Sequence, residues 1–370
     1  MCLASVVSNP TKHKKSSISL KSVGNGAATM PPRMWFLVCS LLIAVADCAP
    51  ILRGSFDWQE QNHRLNARPP KDASEETPPQ EIENGDPVLR FKNMTLDFEE
   101  AKMYARMSTI SYCDRDSIRA WNCSMCQLTK IKDFVLWDVF FSVKWDASAY
   151  IGYFPKNNTK VIAFRGTDSS SLWNWIENLK AYRSSLPLNV PGMNGAYVHT
   201  GFYKMWNDSN LKRNLTIAMA DMLSARGWEG PLVVTGHSLG GAMASMCSTY
   251  MKYTFSLAEV REYTYGSPRV GNQAFVDAYK RMVYPHWRFT HQYDIVPSVP
   301  FVWFGYHHVP VEIWQVDTQA NETAPMHTTY KVCDGGGEDP DCHLGACFLG
   351  FCRGIADHMH YLHIPMYCDS

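Results

Sequence analysis

The stretch LVVTGHSLGGAMASM, residues 232–246, constrains this chain more than any other. A β-branched run enters a turn of the form Gly236-x-Ser238-x-Gly240 and leaves it as a small-residue helix. So short a passage holds the central residue in a strained backbone conformation. Glycine two positions to either side lets strand and helix pass without side-chain clash. The hydroxyl of Ser238 then projects above the sheet edge near a helix N-terminus, where developing negative charge is favoured. The bland alternative is a glycine-rich turn with an incidental serine.

The surrounding pattern favours a nucleophile. KVIAFRG (160–166), PLVVTG (231–236), EYTYGSPRVG, HWRFTHQYDIVP and HVPVEIW read as strands or strand-to-loop transitions. Helical patterns lie between them, with Leu211, Leu215, Ala218, Met219 and Met222 on one face over 209–226. Upstream, DFEEAKMYARMSTISY reads as a helix whose Asp97 and Glu100 resemble a capping box. Strands alternating with helices predict an α/β fold with a mostly parallel central sheet. The Ser238 turn sits at the C-terminal edge of that sheet, where open α/β folds bind ligands.

A serine needs a base, and the base needs an orienting acid. Asp294 ends a strand-like run before a proline-broken loop, which puts a carboxylate at the same edge. Asp277, Asp317 and Asp357 lack that context, although Asp357 adjoins a histidine. Spacing alone does not choose among His286, His291, His307, His308, His327, His343, His358, His360 and His363.

Outside this constellation the sequence points to secretion. Residues 34–46, MWFLVCSLLIAVA, form an apolar run too short to span a bilayer comfortably. Basic residues precede it and small residues follow, so residues 1–49 read as an N-terminal extension with a secretory signal peptide. An uncleaved signal anchor is the competing reading, and Met30 and Met34 are alternative starts. Six Asn-x-Ser/Thr sequons agree with secretion. Nine of the 12 cysteines lie beyond the signal region, enough for four disulfides and a leftover, for which Cys247 in its apolar helix is the candidate. A zinc or redox reading of Cys123-x-x-Cys126, or a metal cluster at His358, His360 and His363, fits secretion poorly. Residues 50–86 are rich in proline and charge and read as a flexible pro-segment or linker, leaving 87–370 as one domain. Zero formal net charge gives no reason to expect nucleic acid.

Seven segments, VIAFRGT, NWIENL, VHTGF, VVTGHSLGGA, YGSPRVGNQAF, DIVPSVP and DHMHYL, occur in this order. Together they resemble the fungal-type class 3 lipases, the triacylglycerol lipase family of filamentous fungi, over roughly residues 90–370. The resemblance implies a single α/β-hydrolase-like domain with a nucleophile elbow and a short helical lid. Its Asp-His-x-x-Tyr motif makes His358 the base, and its Asp-x-Val-Pro motif makes Asp294 the acid. It also implies an oxyanion hole from the backbone N–H of Leu239 and from Thr167 in FRGT, with no cofactor. His199 and Arg165 would be structural supports, and His291 would help hold the Asp294 loop. By the same resemblance Cys113 pairs with Cys368, Cys123 with Cys126 and Cys333 with Cys342. Cys347–Cys352 rests on arithmetic and proximity alone.

In such lipases the segment after Thr167 is the lid. Leu172, Trp175, Ile176 and Leu179 fall at spacings 3, 4 and 7, on one helical face that would close over an acyl cleft in water. At a lipid–water interface it would turn outward, the only membrane contact expected being peripheral. A plain core helix has the same pattern. Phe301, Trp303, Phe304 and Tyr306 would line the acyl groove, rim a membrane-facing surface, or simply pack. The implied function is a secreted triacylglycerol lipase. A phospholipase A1 or carboxylesterase, and a non-catalytic lipid-binding protein on the same scaffold, are the alternatives.

Overall fold

Strand residues of this chain face two ways, and both faces are apolar. In the segment Thr159–Phe164, Ile162 and Phe164 join one buried cluster while Val161 and Ala163 join another. A strand buried on both sides is what a sheet sandwiched between helices requires. The computed structural model describes residues 80–83, 88–91 and 94–368, apart from 169–170, 182–184, 320, 322–323, 334–335, 348–351 and 353. The apolar run at 34–46 and most of the 50–86 stretch lie outside them.

The sheet strands are β1 (Gln80–Glu83), β2 (Val135–Ser142), β3 (Ala147–Phe154), β4 (Thr159–Phe164), β5 (Leu232–His237), β6 (Val260–Tyr265), β7 (His286–His291), β8 (Glu312–Thr318) and β9 (His327–Cys333). Among the described residues they form one nine-stranded sheet in the order β1-β9-β8-β7-β6-β5-β4-β3-β2. The central run from β4 to β8 is parallel throughout. Antiparallel strands extend both edges. Residues 80–83 belong to the stretch expected to be flexible, yet they pair with β9 as the outermost strand.

The principal helices are α1 (Phe98–Ile110), α2 (Leu172–Ala181), α3 (Thr200–Asp208), α4 (Leu211–Arg226), α5 (Leu239–Thr254) and α6 (Gln273–Met282). Side chains of α4, α5 and α6 fill one face of the sheet, and those of α1 fill the other. Asp97 caps α1 by accepting from the N–H groups of Glu99 and Glu100. The Glu100 side chain does not return to the cap; it accepts from the Tyr263 hydroxyl.

Among the described residues there are four disulfides, Cys113–Cys368, Cys123–Cys126, Cys333–Cys342 and Cys347–Cys352, with Cys247 free and buried. The first joins the end of α1 to the chain's C-terminal segment. No helix among the described residues is long and apolar enough to cross a membrane.

One buried acid of the sheet is held by hydroxyl groups. Glu262, on β6, is buried and accepts from the Ser245 and Ser248 hydroxyls of α5. Burial, only partly offset by those donors, pushes its carboxyl up to about 7 from an ordinary 4.5. A raised carboxyl contributes stability that is complete below 4.5 and is lost as pH rises through the folded value. Glu262→Gln is expected to flatten that fall. The variant should gain on the unmutated chain by up to about 3 kcal/mol between mildly acidic and mildly alkaline pH, read from urea unfolding across that range.

Candidate active site

Strand β5 delivers Ser238 with φ 59° and ψ −131°, and α5 starts at the next residue. The glycines around it are a steric necessity. A Cβ at 236 would stand 2.2 Å from the Gly240 carbonyl oxygen, and one at 240 would stand 2.4 Å from that of Phe164. Strand, helix and neighbouring strand touch backbone to backbone, which leaves Ser238 no relaxed conformation. Its amide donates to Tyr265 O at 2.9 Å, fixing the turn to β6.

Asp294 follows the end of β7 and is fully buried. Three donors meet its carboxylate. Val296 N reaches Oδ1 at 2.8 Å, His358 Nδ1 reaches Oδ2 at 2.8 Å, and the Tyr361 hydroxyl donates to the same Oδ2. A carboxylate only accepts, so Nδ1 of His358 carries a proton and Nε2 is the ring nitrogen not engaged by Asp294. That Nε2, the Ser238 hydroxyl and the Thr167 hydroxyl are all buried without a hydrogen-bond partner among the described residues. No hydrogen bond therefore joins Ser238 to His358 in this state.

Two contacts gather these groups in one place. Gly166, beside Thr167, approaches so closely that a Cβ there would lie 2.9 Å from Ser238 Cβ. The ring of His237, next to Ser238, lies 4.3 Å from the ring of His358. Leu239 opens α5 and is buried, so its amide is at the helix N-terminus beside the serine.

Several supporting residues gave little signal in sequence. His237 donates from Nε2 to His358 O at 2.8 Å and accepts at Nδ1 from the Tyr112 hydroxyl at 2.7 Å. Burial first, and the adjacent His358 second, hold its pKa well below the ordinary value, so it is a neutral strut. His343 donates to the Asp294 carbonyl at 2.7 Å. Tyr361 had a signal, the last residue of the Asp-His-x-x-Tyr motif.

The rival acids have other work. Asp357 accepts from Tyr293 N, Asp277 from Gln273 within α6, and Asp317 from His291 Nε2 at 2.8 Å. His291 also donates from Nδ1 to the Asp357 carbonyl, so it braces the residue before His358 as well as its own loop. Of the expected supports, His199 caps α3 through Gly201 N, and Arg165 pairs with Asp146.

Helix α2 lies across this site. Leu172 and Ile176 pack against Ile295 and Val296, just after Asp294, and against Cys347 and Cys352, with Ile355 and Met359 beside them. Leu179 is buried in the main core, and Trp175 is half-buried against Phe202. Trp173, Asn174, Glu177 and Asn178 face outward. The predicted stripe is thus the buried face, and what it covers is the loops carrying the acid and the histidine.

The architecture has known counterparts. A family model described as lipase (class 3) matches residues 161–304. A lipase of Rhizomucor miehei is 30% identical over 273 residues, covering 72% of this chain and 69% of that protein. A secreted mono- and diacylglycerol lipase of Fusarium solani is 30% identical over 268 residues, covering 67% and 73%. The solved Rhizomucor miehei lipase propeptide complex superposes with a TM-score of 0.61 at 29% identity, covering 74% of this chain and 82% of that one.

The His291–Asp317 pair gives a test of the bracing. His291 is raised above 6.5 through its bonds to Asp317 and Asp357, which outweigh burial. Asp317, against its own burial, is lowered from 3.8 to about 2 by His291 and Thr328. The histidine's contribution is full below 6.5 and lost as pH rises through its folded value. The aspartate's is full above 3.8 and lost as pH falls through about 2. Asp317→Asn should therefore cost most near about pH 5, roughly 1–3 kcal/mol, with the difference shrinking on both sides in unfolding curves.

Proposed function

The chain belongs to the class 3 lipase family, hydrolases of lipid esters on the α/β-hydrolase fold, and we propose that it cleaves acylglycerols, triacylglycerol first, at a lipid–water interface. The observation that carries this reading is the buried Asp294–His358 hydrogen bond beside the orphaned hydroxyl of Ser238. In this reading Ser238 attacks the ester carbonyl. His358 Nε2 takes the serine proton and returns it to the leaving alcohol, and Asp294 stabilises the imidazolium between those steps. Water then enters by the same base and releases the fatty acid, and no cofactor takes part. The oxyanion is met by the Leu239 amide and by Thr167, whose hydroxyl has no other partner among the described residues.

Helix α2 supports a lipid rather than a dissolved ester. Its apolar face seals the cleft in water, and an apolar phase would accept that face when the helix swings away. Secretion is part of the same proposal. The apolar run at 34–46, the four disulfides and the exposure of the sequon residues Asn122, Asn157, Asn207 and Asn321 support it.

The purified protein is expected to hydrolyse emulsified triolein faster than phosphatidylcholine vesicles or short-chain nitrophenyl esters, with a jump in rate as substrate passes its solubility limit. A smooth saturation curve through that limit would remove the lid from the account. Ser238→Ala should lower hydrolysis by more than about a thousandfold and abolish labelling by a fluorophosphonate, with the melting transition kept.

A further inference from the structure

Residues 295–310, IVPSVPFVWFGYHHVP, contain no aspartate, glutamate, lysine or arginine. The two histidines of the run lie below their ordinary pKa, mainly through burial, so they add no charge near neutral pH. The run leaves the catalytic loop directly. Ile295 and Val296 lie under helix α2, and a few residues on three aromatic rings come together. Phe301 and Trp303 stack at 4.3 Å with 14° between their planes, and Phe304 meets both edge-on at 5.7 and 5.9 Å. Phe301 packs against the main core, whereas Trp303 is 56% exposed. An indole of that size left in water costs free energy, and nothing in the site uses it.

We propose that the Phe301–Trp303–Phe304 ridge is a fixed anchor that seats the protein on the lipid–water interface of its substrate, separate from helix α2. The proposal rests on the lipid-hydrolase reading above. Three features favour a lipid surface over a protein partner. The segment lacks charge over its whole length, as a surface lowered into headgroups must. Its exposed member is tryptophan, the side chain enriched at the boundary of water and hydrocarbon. It follows the C-terminal end of β7, the edge that carries Ser238 and Asp294, and the outward face of α2 adds a second exposed indole at Trp173, 47% exposed. Because the three rings already support one another, docking freezes few side chains, and the surface is ready before the helix moves.

The test uses the Ser238→Ala chain, which binds without consuming the lipid, floated with phosphatidylcholine-coated triolein droplets. Adding Trp303→Ala should weaken partitioning about tenfold. Trp303→Phe, which keeps a ring in place, should recover most of it. Trp228→Ala is the control: that indole is 58% exposed but precedes β5, at the opposite edge of the sheet, and its loss should change nothing. With Ser238 intact, Trp303→Ala should slow hydrolysis at low droplet concentration and spare a fully dissolved short-chain ester. Equal partitioning of the Trp303→Ala chain and its parent overturns the anchor. So does an equal loss on the dissolved ester, which would put Trp303 in the cleft. If the intact chain leaves triolein untouched, the hydrolase reading fails, while the flotation result still decides the anchor.

Discussion

A carboxylate removed from water survives only where donors take the water's place. Asp294 has no exposed surface, and its three donors come from its own loop and from residues 64 and 67 positions further on. The last fifth of the chain must therefore dock before this acid is tolerable. His343 ties the backbone of Asp294, His291 ties the residue before His358, and Cys113–Cys368 fastens the C-terminal segment to α1. Asp294 and His358 are aligned because the alternative is a buried charge without partners.

The covering helix obeys a softer rule. Leu172 and Ile176 are fully or nearly fully buried, each such side chain being worth roughly 1.5–3 kcal/mol of transfer free energy. An oil surface offers those side chains a similar return. The seat of this helix is thus held mainly by an interaction that a lipid phase can replace, whereas the Asp294 network is held by directional bonds that it cannot. The Cys347–Cys352 disulfide forms part of the seat under the helix. It stiffens the surface on which the helix rests.

The sequence was most legible where one residue type is forced. Only glycine fits at 236 and 240, so the turn around Ser238 could be read directly. Strand and helix periodicity located β4, β5 and α4 to within two residues. It was less legible where a role depends on what arrives from elsewhere in the chain. Nothing in the spacing of nine histidines separates His358 from its neighbours; the family motif did that. Asp317 read as a rival acid and is the partner of His291. The first strand fell within a proline-rich stretch because an edge strand of four residues buries too little to leave a periodic signal.

The sequence by itself determined the strained serine turn, the parallel α/β layering around it and the apolar stripe of α2, since each follows from local sterics or from residue periodicity. Only the tertiary structure decided that His291 meets Asp317, what α2 covers, and which aromatic rings end up in water. Those outcomes rest on contacts between segments tens to hundreds of residues apart, and a partner so distant leaves no mark on the local pattern of either segment.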